Sequence, residues 1–238
     1  MINIETKYTL KVITLSVCLV LIKYIVSYYY YPHESLFFKI ISLGEKDFTL
    51  YSFIVESLSR LDLYTDWNET EKAKGIIGFP IFSLIWHSIF YVFFGHYSFL
   101  ILEIFFYSLL IILIYKFIYL LNKSYDQSII ITSLFFIFLE FLILASLTTD
   151  TNLIRVIKLP IYEFLIYRFP RPLITSAYLF AFLYFLIKFD LEKNNKVTLK
   201  YSLVFGILFF LLINSFFFIF VTSFISLFIY LILRFREK

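Results

Sequence analysis

Cysteine is nearly absent from this chain. Its one cysteine, Cys18, lies inside an apolar run, so no intrachain disulfide and no thiolate metal cluster can form. Glycine and proline are scarce, at five each in 238 residues. No glycine-rich phosphate loop, no HExxH pair and no GxSxG elbow occurs. Charged residues make up only 16%. The formal charge of +4 is accounted for by its distribution around apolar runs, so no nucleic-acid partner is called for.

What fills the chain instead is apolar: 61% hydrophobic and 23% aromatic residues, against about half apolar in an ordinary soluble domain. Continuous apolar runs of about 20 residues read as membrane-crossing helices, whereas a membrane β-barrel would alternate in polarity over about ten residues. The expected class is all-α: one polytopic membrane helix bundle over residues 1–238. Six spans are read at 9–30, 98–120, 128–147, 173–189, 201–214 and 216–233. The last two come from one double-length run broken at Asn214-Ser215. The first span lacks a small-residue cleavage site and reads as a retained anchor.

Basic residues concentrate in short cytoplasmic segments. With both termini cytoplasmic, eleven of the 21 lysines and arginines, from Lys7 and Lys11 to Lys238, fall in four short inner segments. This orientation suits a bacterial inner or plasma membrane. Two long connections, 31–97 and 148–172, then share the outer face. Within the first, residues 48–61 space Phe48, Tyr51, Ile54, Val55, Leu58 and Leu61 at helical intervals, as in a helix lying at the bilayer surface. Residues 75–94 are apolar enough to cross, but the charge balance favours a segment lying in the outer interface.

Inside the bilayer, Lys23 and Glu140 are read as an ion pair, because an isolated charge there costs about 2.5–3.5 kcal/mol. Glu103 is placed to reach the outer surface. In the outer loops, Asp47 precedes a helix, where an aspartate can cap free N–H groups or take a proton from an acceptor hydroxyl. Asp150 emerges at the outer end of the third span. Arg168 and Arg171 flank Pro170 just before the fourth span, and a guanidinium fork suits phosphate. His33, His87 and His96 all fall in the first outer loop and, with Tyr51, are candidate acceptor contacts.

This order of features resembles the membrane glycosyltransferases of the GT-C fold, relatives of the protein mannosyltransferases and the aminoarabinose transferases. The stretches that carry the resemblance are KDFTLY around Asp47, GFP at 78–80, FFGHYSF at 93–99, TTD ending at Asp150 and RFPRPLIT at 168–175. The chain resembles a short form: Lys46-Asp47 stands where the family has two acids, and Gly-Phe-Pro replaces a His-Pro-Pro type motif.

The resemblance implies transfer of a sugar from a polyprenyl-phosphate donor to an acceptor on the outer face, in surface polysaccharide or glycoconjugate synthesis. Asp47 would then be the general base. Asp150 would position the acceptor or a divalent cation, and Arg168 and Arg171 would hold the donor phosphate. Two other classes compete. One is a non-catalytic membrane protein that docks on a glycan-assembly enzyme. The other is a lipid or glycan transporter, against which stands the lack of repeated halves.

Overall fold

The computed structural model describes residues 4–30, 33, 54–61, 82–148, 173–191, 197–215 and 217–236. Among these the chain is all α, with no strand. The helices are α1 (Ile4–Tyr30), a short α2 (54–59), α3 (Phe82–Phe94), α4 (Tyr97–Asn122), α5 (Tyr125–Thr148), α6 (Leu173–Leu191), α7 (Val197–Ile213) and α8 (Phe217–Arg236). Each of the six apolar runs is therefore helical. Of the six, α4 and α6 are long and apolar enough to cross a bilayer by length and composition.

The centre of the fold is α4, which packs against α1, α3, α5 and α6; α6 in turn carries α7 and α8. Polar side chains set the helix directions. Glu5 pairs with Lys116 at 3.7 Å, and the Tyr8 hydroxyl donates to Asp126 at 2.6 Å. The start of α1 thus meets the end of α4 and the start of α5. Midway, the Ser16 and Ser108 hydroxyls bond at 2.7 Å. Asp190, at the end of α6, meets Arg234 at 3.3 Å and accepts from Tyr230 at 2.8 Å, both near the end of α8.

Residue numbers rise in the same direction along α4 and α6, since Tyr178 lies beside Leu102 and Leu109 while Phe180 meets Phe117. Both polar clusters therefore sit at one end of the bundle. At the other end, the Phe82 N–H that opens α3 donates to the Asn214 carbonyl in the α7–α8 turn, at 3.1 Å.

Large apolar side chains face outward as well as into the core. Leu134 and Phe138 on α5, Leu203 and Phe210 on α7, and Phe224 and Phe228 on α8 are exposed. The buried set includes Ser16, Ser88, Ser128, Thr132 and Ser223. Four of these hydroxyls donate to a carbonyl four residues back: Ser88 to Leu84, Ser128 to Ser124, Thr132 to Ser128 and Ser223 to Ile219, at 2.6–3.0 Å. That self-satisfaction is what a hydroxyl needs where no water reaches.

Two expectations change. Residues 54–59 bury Ile54, Val55 and Leu58, so this helix is held by packing on the protein, not on a lipid surface. Its opposite side carries the Glu56–Arg60 pair. Glu103, expected to reach the surface, is buried on the inward face of α4 with Leu102 and Phe106. The side chains of Lys23 and Glu140 lie outside the described set, and so does their expected pairing.

The α4–α5 turn offers a stability test. Lys123 closes α4 in the left-handed region (φ 57°), its N–H donating to Tyr119. A non-glycine residue costs roughly 1–2 kcal/mol there, and glycine returns about 0.4–1 kcal/mol of that through its freer unfolded chain. Lys123→Gly should therefore stabilise by about 0.5–1 kcal/mol, read as a higher melting temperature in detergent.

Candidate functional site

Asp47, Tyr51, Asp150, Arg168 and Arg171 lie outside the described residues, so the structure neither gathers nor separates them. What it describes is the frame next to them in sequence: the start of α6, which follows Arg171 by two residues, and the α3–α4 hairpin that follows the first long connection.

The start of α6 is enclosed. Residues 173–178 are six in succession with every side chain buried, Thr175 and Ser176 among them. A helix lying at a bilayer surface or against one neighbour hides one stripe; a helix with no exposed side over more than a turn is surrounded.

The hairpin is built from short-range rules. Gly95 ends α3 at φ +54°, a conformation glycine adopts without strain, and its N–H donates to the Tyr91 carbonyl at 2.8 Å. The chain then enters α4 at Tyr97. Ser83, Leu84, His87 and Ser88 form the buried stripe of α3, while Trp86, Ile89, Val92, Phe93 and Phe94 are exposed. The polar residues of α3 point in and its exposed face is apolar.

Between these elements runs a cleft of about 330 Å³. Trp86 and Phe90 of α3 form one wall, Ile101, Leu102, Phe105, Phe106 and Leu109 of α4 the floor, and Tyr178 of α6 the far side. The Trp86 indole N–H donates to the Tyr178 hydroxyl at 2.7 Å. Sequence reading gave these residues no role. In a chain where aromatics are 23% of residues, neither Trp86 nor Tyr178 stands out.

The three histidines occupy unlike places. His33 is an exposed turn residue. His96, exposed, precedes α4 with its ring edge-on to Tyr91 at 5.4 Å. His87 is fully buried, its ring 5.2 Å from that of Phe99. An accessible contact for an acceptor at His87 is therefore corrected to an interior residue of α3. Among the described residues no group of three or more His, Cys, Asp or Glu could hold a metal ion.

Burial pushes the His87 imidazole down to about 3, so it is neutral in the fold at physiological pH. Unfolded, it titrates near 6.5. Below that pH the unfolded chain takes up a proton that the folded chain refuses. Its contribution is present above about pH 6.5 and is lost, by about 1.4 kcal/mol per unit, as pH falls toward 3. Between pH 7 and 5 the wild type should lose about 2 kcal/mol relative to His87→Gln, which does not titrate. Detergent melting curves of both proteins across that range check it.

Comparison of this chain with family models, with curated proteins and with solved structures gave no match.

Proposed function

We propose that the chain is a polytopic membrane glycosyltransferase of GT-C type. It takes a sugar from a polyprenyl-phosphate donor and passes it to an acceptor on the outer face of a plasma membrane. The observation that carries this reading is the enclosed start of α6. Residues 173–178 are buried on all sides and follow RFPRP directly in sequence, and an arginine fork suits a phosphate kept from bulk water. The apolar exposed faces of α5, α7 and α8 support the membrane setting. The resemblance at 46–51, 78–80, 93–99, 148–150 and 168–175 supplies the reaction class.

Asp47 is assigned as general base and Asp150 as the group that orients the acceptor or a divalent ion. Arg168 and Arg171 are assigned to the donor phosphate, where their charge offsets that developing on the leaving group. His33 and His96, both exposed, remain candidates for the acceptor side.

Site accessibility tests the arrangement. In a Cys18→Ser background, single cysteines replacing Asp47 and Arg168 should react with an impermeant maleimide added outside the cell. A cysteine replacing Lys123, in the exposed α4–α5 turn, should react only after permeabilisation. Labelling of 47 and 168 from opposite sides would rule the shared outer site out. Correct topology without release of polyprenyl phosphate from the donor would turn the assignment to a non-catalytic partner of a glycan-assembly enzyme.

A further inference from the structure

Three helices begin at one place in the fold. We infer that the buried junction of the α3, α6 and α8 starts binds a small monovalent anion, with chloride as the type, whether or not the chain transfers a sugar.

The Phe82 N–H that opens α3 donates to the Asn214 carbonyl at 3.1 Å, and the Phe82 ring meets that of Phe210 at 4.9 Å. Helix N–H groups point toward the helix start, so α3 directs its positive end at the α7–α8 turn. α8 opens at Phe217, three residues after Asn214, and directs its own first N–H groups back at the same turn. α6 lies alongside, antiparallel to α7, with Phe182 against Phe209 at 5.1 Å and Phe185 against Tyr201 at 6.3 Å. Six residues back from Phe182 and six on from Phe209, that register brings Ser176 level with the turn that holds Ser215.

The junction is inside the bundle, not at its rim. Phe180 of α6 meets Phe117 of α4, and the two helices run the same way, so α6 starts at about the level of Leu110. That is beside the Ser16–Ser108 pair, and α4 runs on from there for about 20 Å. In a bilayer, water does not supply partners at such a depth.

Each helix start carries about half a positive charge and N–H groups without a partner in the helix. α1 and α5 answer with an acid in the first turn, Glu5 and Asp126. The first turns of α3, α6 and α8 hold no acid. They hold buried hydroxyls instead, from Ser83, Thr175 and Ser176, with Ser215 in the turn between α7 and α8. Ser176 is 1% and Ser215 0% exposed, and neither hydroxyl has a hydrogen-bond partner. Leaving such donors unmade is costly, and an anion at the positive helix ends takes them up.

Charge and hydration select the class. The three first turns contain no lysine or arginine, so the junction offers partial charges, which suit one negative charge and not two. Chloride and bromide give up water more readily than fluoride or a phosphate dianion does, and each accepts from N–H and O–H donors alike.

The test uses the full chain in dodecyl maltoside, with gluconate replacing chloride at constant ionic strength. Chloride and bromide should each raise the melting temperature saturably, and calorimetric titration should give one ion per chain. Ser176→Ala and Ser215→Ala should each weaken chloride about tenfold, the loss of one hydrogen bond to an ion. Ser223→Ala removes a buried hydroxyl of α8 that already bonds to the Ile219 carbonyl, and should leave the affinity unchanged. Ser176→Asp brings a fixed carboxylate to the junction. It should melt in gluconate at least as high as the wild type and no longer respond to chloride. Should the aspartate variant not fold, the wild-type titration and the alanine variants decide. The site is overturned by a wild type that melts alike in chloride and gluconate, by a response to sulfate equal to that to chloride, or by alanine variants that bind chloride as the wild type does.

Discussion

Asp47→Asn is expected to lower sugar transfer by about 10²- to 10⁴-fold, the usual contribution of a positioned general base, while leaving the amount of protein in the membrane unchanged. The substitution separates the two roles that the sequence offers for Asp47, a helix cap and a general base. Asparagine accepts hydrogen bonds from the free N–H groups of a helix start about as well as aspartate does. A residue that only caps would therefore tolerate the change, with stability and activity both near wild type. Asparagine cannot take a proton from an acceptor hydroxyl, so a base is lost. The measurement is release of polyprenyl phosphate from a polyprenyl-phosphate sugar by membranes holding equal amounts of each protein. Full activity in the asparagine variant would leave Asp47 as a cap and remove it from the chemistry. Asp47→Ala adds the second half of the comparison: where Asp47 caps a helix, alanine should lower the melting temperature and asparagine should not.

Leu134→Asp is expected to impair insertion by about 2.5–3.5 kcal/mol, the insertion penalty of a charge near the centre of a membrane helix. Leu134 is 63% exposed near the middle of α5, opposite the buried Thr132 and Phe136. In a protein surrounded by water, aspartate at such an open position would cost less than about 0.5 kcal/mol and would improve solubility. The two settings differ by a factor of about 100 in the inserted fraction, which glycosylation mapping or carbonate extraction resolves. Gln127→Asp, in the first turn of the same helix and also exposed, is the control and should be neutral. An inserted, correctly oriented Leu134→Asp protein at wild-type level would show that this face of α5 is not in lipid.

Much of this protein could be read before its coordinates. Six apolar runs and their breaks, at 121–127 and at Asn214-Ser215, locate helices because residues of one kind sustained over about 20 positions leave few backbone options. The polar punctuation also had local causes, such as Gly95 at a helix end and a left-handed turn at Lys123. The residues proposed for chemistry came from short motifs, and five of them lie outside the described residues.

What patterning left undetermined was which side of each helix faces in. In a water-soluble protein the apolar stripe marks the core. Here Ile130, Leu134 and Phe138 are exposed while Phe99, Phe106 and Phe182 are buried, and all are equally apolar. Hydrophobicity carries no inside–outside signal when the surroundings are as apolar as the core. Packing around α4 therefore decided that His87 and Glu103 turn inward, that residues 54–59 rest on protein, and that Trp86 meets Tyr178 across a cleft. Each of those contacts joins helices distant in the chain, and no local periodicity encodes a distance between helices.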